Sequence, residues 1–298
     1  MLSRYATPLV SIIIPTFNAG RFIQRALEGI RRQTYSHWEV IVVEDGSRDE
    51  SEATVIRFAK STGKNCRYER NERNLGVSAT RNHAMSLARG ELIAFLDADD
   101  WWTADHLTFG ESTLRDGGDF CYSSFTPYNE TGRDAGKPVA PTSVQLEQPL
   151  TRLFRENFIH TSSLVMLWRD VAERISGFDT HLRVGEDLDY WLRLLGTGHS
   201  INWTGMTTCF YSKHLMSAMA NTPVVAEESV KFHRKHLAST YLPLSLRKRL
   251  LALRLLSHGR LLWRQDRERA RCLIAEGYGY QPLDPLCAIY AAACKLYR

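Results

Sequence analysis

Between residues 9 and 125 the chain alternates unbroken apolar runs with stretches in which apolar residues recur every three or four positions. "LVSIIIPTFN" (9–18) and "WEVIVVEDGS" (38–47) are rich in β-branched residues and end at Pro15, Asn18 and Gly46, so each predicts a buried strand. Between them, apolar residues at 22, 23, 26, 27 and 30 follow the period of a helix. The alternation continues with a helix over 49–63, a short strand at 66–72, a helix over 77–90 and a strand at 91–97. A helix over 103–118 and a strand at 119–125 complete it. Fully apolar strands separated by helices of this length predict an α/β fold, a mostly parallel sheet with flanking helices. In such sheets ligands bind beyond the carboxyl ends of the strands. The unusual polar residues, Asn18, Glu44, Asp45 and the group around Asp97, all fall at those ends.

Residues 126–149 are rich in Pro, Gly and Thr and read as a long connection. A helix near 150–156, a strand at 162–168, the segment "ISGFDTHLRVGED" (175–187), a helix over 188–195 and strands around 199–211 follow. The stretch 245–282 reads as two helices with a turn near "WRQD", and its apolar spacing resembles one helical hairpin of the tetratricopeptide kind. One hairpin makes no solenoid. Three segments are expected: 1–125 and 126–222 as the two halves of the α/β body, and 223–298 as a helical extension.

Composition changes this picture little. With 298 residues, 44% hydrophobic and 24% charged, the chain is an ordinary globular one, large enough for one big domain or two modest ones. No apolar run approaches the roughly 18 residues of a membrane span. Pro15 and Asn18 follow the first apolar run, so it is read as a strand rather than a signal peptide. Six scattered cysteines suggest a reducing compartment; Cys287 and Cys294, seven apart, are spaced for one helical face and read as core.

Charge changes it more. Residues 229–298 carry 14 Lys/Arg against 4 Asp/Glu, whereas 1–228 carry 24 against 29. A mildly acidic body with a basic tail means either a tail that meets anions, with an anionic membrane surface as one candidate, or a solvated basic helical face. No nucleic acid partner is expected.

Five short motifs carry candidate chemistry. "LIAFLDADD" puts Asp97, Asp99 and Asp100 at a strand end, where such a cluster either caps the next helix or binds a divalent cation through hard oxygen donors. In "VVEDGSRDES", Asp45 either accepts hydrogen bonds from a ligand or simply opens a turn with Gly46. "NERNLGVSATRNHA" opens a helix that carries Arg81 in its second turn and presents free N–H groups. In "VGEDLDYWLRLL", Glu186 and Asp187 either favour the helix dipole or provide a general base. His214, in "CFYSKHLMS", is either a metal ligand or a surface histidine.

In this order, "VSIIIPTFNAGRFIQRALEGIRRQTYSHWEVIVVEDGSRDES", "NLGVSATRN", "LIAFLDADD", "GFD…GEDLDYWLRLL" and "YSKHLMS" resemble glycosyltransferase family 2 over about Leu9 to Ser217. The resemblance implies a GT-A fold and an inverting transfer of sugar from a nucleoside-diphosphate donor, with a UDP-sugar expected. It implies that Pro15, Phe17 and Asp45 line the base pocket with Arg81 nearby. Asp99 would hold Mn²⁺ or Mg²⁺, Asp97 would contact ribose or metal, and Asp100 is a substitute contact. Asp187 corresponds to the catalytic base with Glu186 beside it, and His214 to a residue directed at metal or diphosphate. Glu44 stands where many members carry Asp, and the Gln-x-x-Arg-Trp motif of processive synthases is absent, so single-residue transfer is expected. The implied acceptor is a glycan or lipid-linked glycan in cell-surface polysaccharide or lipopolysaccharide synthesis. The implied location is cytoplasmic, peripheral at the cytoplasmic face of the membrane. Two other classes stay open: a nucleotidyltransferase, which would release pyrophosphate, and a non-catalytic sugar-nucleotide-binding scaffold, which would show no turnover.

Overall fold

The computed structural model describes residues 7–129, 136–213 and 222–283, with 285, 288, 289 and 292. His214, Cys287 and Cys294 lie outside the described residues. Two compact units make up the chain, Met1–His214 and Leu215–Arg298.

The first unit begins with β1 (Val10–Thr16), α1 (Ile23–Arg31), β2 (Trp38–Glu44), α2 (Ser51–Thr62), β3 (Cys66–Arg70), α3 (Val77–Ser86) and β4 (Leu92–Phe95). All seven residues of β1 and all seven of β2 are buried, as their unbroken apolar runs require of strands covered on both faces. Next come β5 (Trp101–Trp102), α4 (His106–Arg115), β6 (Phe120–Asn129), α5 (Ser143–Glu147), α6 (Pro149–Arg155), β7 (Val165–Trp168), α7 (Arg169–Glu173), α8 (Glu186–Gly196) and β8 (Ile201–Lys213).

One eight-stranded sheet has the order β3-β2-β1-β4-β7-β6-β8-β5. The strands β3, β2, β1 and β4 are mutually parallel, with Ile12 opposite both Val40 and Ala94. Strand β7 runs antiparallel to β4 and β6, while β6 and β8 are parallel. The carboxyl ends of β1, β2 and β4 therefore open on one edge of the sheet, and α3 packs against β1 and β2 just below it.

Two features depart from the sequence reading. Strand β6 runs on into the expected connection, with Thr126, Pro127 and Tyr128 paired with Phe210, Tyr211 and Ser212 of β8. The two tryptophans of β5 pair with Phe210 and Cys209, a ladder too short to leave any period in the sequence.

Among the described residues the second unit contains three helices where two were expected: α9 (Thr222–Leu237), α10 (Leu244–Leu262) and α11 (Arg267–Tyr280). Asp266 caps α11 by accepting from the Arg269 N–H at 3.0 Å. Leu251 and Leu255 of α10 pack on Val230 and Leu273, and Ala252 and Leu256 pack on Ile274. Each such leucine stabilises the unit by about 1.5–3 kcal/mol relative to leaving it in water. Among the described residues no helix is long and apolar enough to cross a membrane.

Candidate active site

At the end of β1, Pro15 is buried, whereas Phe17 stands 51% exposed beyond it. At the end of β2, Gly46 turns the chain with φ +81°, and a Cβ there would lie 2.5 Å from the Arg73 carbonyl carbon. Only glycine allows that approach. Asp45 is 3% exposed. Its carboxylate accepts from the Asn71 side chain at 2.9 Å and from the N–H groups of Leu75 and Gly76 at 2.8 Å each. It thereby fixes the loop that enters α3.

Arg81 projects from α3 and is 4% exposed. One guanidinium nitrogen donates to Asp97 Oδ1 at 2.7 Å and another to Glu186 Oε1 at 2.7 Å. Burial alone would lower its proton affinity, but Asp97 and Glu186 outweigh that and hold it above the usual arginine value. The neighbouring Asn82 draws in the same distant segment, donating to the Phe178 carbonyl at 2.8 Å and accepting its N–H at 2.7 Å. At Gly177 a Cβ would collide with the Asn82 side-chain oxygen at 2.3 Å. Phe178 then lies against the Arg81 guanidinium, 5.3 Å from its ring centre. The motif around residues 177–187 thus reaches the strand ends through α3.

The three acids after β4 occupy different surroundings. Asp97 has a side chain 25% exposed, held by Arg81 on one oxygen and by the Thr161 hydroxyl on the other at 3.1 Å. Asp99 is partly exposed, and its carbonyl accepts from Arg25 at 3.3 Å. Asp100 is 1% exposed. It accepts from the Ser163 hydroxyl at 2.6 Å, the Thr161 hydroxyl at 3.0 Å and the Ser212 N–H at 2.8 Å. Burial first, then the charges of Asp99 and Asp97, raise the Asp100 carboxyl well above the ordinary aspartate range. Asp45 and Asp100, both expected against the nucleotide sugar, have these hydrogen bonds within the protein.

Asp187 differs again. Among the described residues it pairs with no cation and accepts one hydrogen bond, from the Leu188 N–H at 2.6 Å. Burial and then the negative charge of Glu186 push its carboxyl up to about 7, against the opposing pull of Arg81. A carboxyl poised near neutrality beside a permanently paired neighbour is suited to taking a proton.

Four residues that the sequence did not single out complete the site. Thr161 and Ser163 bond acids more than sixty positions away. Arg25 stacks on Trp101, 3.7 Å from the ring centre, while holding the Asp99 carbonyl. Tyr211 of β8 has its hydroxyl pushed up to about 12 by burial and then by the charges of Asp100 and Asp99. Thr161 and Ser163 have only residue type as a signal in the sequence, whereas Arg25 and Tyr211 lie inside motif stretches without standing out.

Among the described residues no three His, Cys, Asp or Glu side chains form a ready-made ion site. Mg²⁺ and Mn²⁺ need fewer, since one or two carboxylates suffice when substrate phosphates supply the remaining oxygens. Asp97 and Asp99 offer that donor set, and the residues present fit such a cation.

The family model described as Glycosyl transferase family 2 matches residues 11–175, more than half the chain. This chain is a family 2 glycosyltransferase. The matched span holds Asp45, Arg81, Asp97, Asp99 and Asp100, while Glu186 and Asp187 lie beyond it. The glycosyltransferase is 31% identical over 215 residues to a Bacillus subtilis glycosyltransferase named for teichuronic acid biosynthesis, covering 70% of this chain and 80% of that one. It is 36% identical over 137 residues to an Escherichia coli UDP-Glc:alpha-D-GlcNAc-diphosphoundecaprenol beta-1,3-glucosyltransferase, over 46% of this chain and 53% of that one. S. aureus TarS 1–349 in complex with UDP superposes with a TM-score of 0.67 at 19% identity, covering 97% of this chain and 88% of that one. The fold is GT-A.

Proposed function

We propose that the glycosyltransferase moves a sugar from a UDP-sugar to a hydroxyl of a lipid-linked glycan during synthesis of a cell-surface polysaccharide, with inversion at the anomeric carbon. The observation that carries this reading is the Arg81 bridge. It ties Asp97, at the end of β4, to Glu186, at the start of α8, with 2.7 Å contacts on both sides. That bridge brings the acids suited to a diphosphate and its cation beside the one acid suited to a proton. The teichuronic acid relative and the lipid-linked acceptor in the name of the E. coli relative support the acceptor class. UDP in the E. coli name and in the TarS complex supports the donor base.

In this reading Phe17 offers its exposed ring to the uracil above Pro15, while Asp45 shapes that pocket through the loop it holds. Asp97 and Asp99 would hold Mn²⁺ or Mg²⁺. When bound, the cation neutralises charge on the departing diphosphate. Asp187 takes the proton of the acceptor hydroxyl as that oxygen bonds to the anomeric carbon. The bond from that carbon to the diphosphate breaks, and its electron pair leaves on UDP. One displacement from the opposite face inverts the configuration. Glu186, bonded to Arg81, raises the proton affinity of Asp187, and Asp100 positions the turn.

The test combines donor binding with turnover. UDP-sugars should raise the melting temperature in a Mn²⁺-dependent way, and UDP should be released when a lipid-linked glycan is added. Asp187→Asn should keep the thermal shift and lose transfer by about 10²–10⁴-fold, the range for a positioned base. Transfer by that variant at the wild-type rate would remove Asp187 from the role.

A further inference from the structure

We propose that the solvent-facing side of α10 is a docking surface for an anionic lipid bilayer, with the helix lying along the headgroups. The inner side of α10 is occupied by Val230, Leu273 and Ile274 from its two neighbours. On the opposite side Arg249, Arg254 and Arg260 are exposed, and Arg264 follows in the turn. Interleaved with them are Leu250 and Leu253, partly exposed, and Leu261, 42% exposed. At 100° per residue these positions share an arc of about 140°.

Several basic residues of the neighbouring helices meet acids, whereas three of the four on this arc, among the described residues, do not. Lys231 on α9 meets Glu228 at 2.7 Å, Arg234 meets Glu276 at 2.5 Å, and Arg269 meets Glu227 at 3.3 Å. No acid occurs in the sequence between Glu228 and Asp266. Among the described residues Arg249, Arg254 and Arg264 pair with no carboxylate. Arginines alone would suit any polyanion, but leucines alternating with them along the helix suit a partner that is anionic at its surface and apolar just beneath. With 19 residues, about 28 Å, α10 is long enough to lie on a bilayer, and its arginines keep it from entering one as a span.

The experiment is co-sedimentation of the full chain with phosphatidylcholine vesicles, with and without one-quarter phosphatidylglycerol. It uses neither donor nor acceptor, so its failure leaves the transferase reading standing, and failed transfer leaves this one standing. The full chain should bind only the anionic vesicles and release at high salt. Each arginine replaced by glutamine should weaken binding about five-fold, so R249Q/R254Q/R260Q/R264Q should lose several hundred-fold. The four-lysine counterpart should still bind, which separates lost charge from lost folding. Equal binding to neutral vesicles, or an unchanged affinity in the glutamine variant, would overturn the proposal. So would a concentration-dependent dimer that Leu261→Ser breaks apart, which would make the face a contact between copies of the chain.

Discussion

The turn after β4 and the first turn of α8 both place acids side by side, and burial raises one carboxyl in each, with different consequences. In the turn, Asp100 is enclosed by Ser163, Thr161 and the Ser212 N–H, all bonded to it. Its raised proton affinity is the result of a carboxyl absorbed into structure. At α8, Asp187 has one backbone donor and a charged neighbour, and its carboxyl is pushed up to about 7 with capacity left for a substrate proton. Between them Arg81 contacts Asp97 and Glu186 at 2.7 Å each. A raised carboxyl therefore marks function only where its hydrogen-bonding capacity remains unspent.

The largest effect should come from removing the bridge between the two turns. Arg81→Met conserves most of the volume but leaves the buried Glu186 carboxyl and the partly exposed Asp97 carboxyl without their cation, at a cost of about 3–5 kcal/mol. Denaturant unfolding should show the midpoint falling by that equivalent, with sugar transfer lost alongside. A variant that unfolded like the wild type would mean that the two turns are held together by other contacts.

A smaller effect concerns pH. Asp187 acts as a base only when deprotonated, and its carboxyl is raised to about 7 by burial and Glu186. Hence kcat/KM should rise with pH through about 7 and level above it, falling about ten-fold per unit on the acid side. Glu186→Gln removes a neighbouring negative charge and leaves Arg81 pulling harder on Asp187. Both changes move the acid limb to lower pH. A limb that stays in place in that variant would assign it to another group.

Much of this contrast was legible in the sequence, and the reasons differ by residue. Strands β1, β2 and β4 announced themselves because strands buried on both faces are continuous apolar runs, and their ends located Asp45 and Asp97. Glu186 and Asp187 stood out in an ordered motif. The bridge through Arg81 was not legible, since a side chain bonding Glu186 from 105 positions away leaves no period. Thr161 and Ser163 were silent for the same reason. In the second unit, α9 mixes acids, bases and apolar residues without a clear stripe, and it went unread beside the leucine-rich α10.

The smallest expected change is the sharpest test of the comparison, because it applies to Asp100 the same substitution proposed for Asp187. An asparagine at 100 can still accept from the Ser212 N–H and donate to a hydroxyl, so Asp100→Asn should alter stability by no more than about 0.5 kcal/mol. Asp100→Ala should cost about 1–3 kcal/mol, because the Ser212 N–H and the Ser163 hydroxyl lose their acceptor. The folded-state carboxyl is raised above its unfolded value by burial. Its contribution is therefore full at low pH and is lost as pH rises through the folded value. An asparagine escapes that loss, so the melting temperature of Asp100→Asn should gain on the wild type as pH increases, with transfer within a few-fold throughout. If Asp100→Asn abolished transfer while leaving the melting temperature unchanged, Asp100 would belong with Asp187 among the groups that touch substrate, and the division between the two turns would fail.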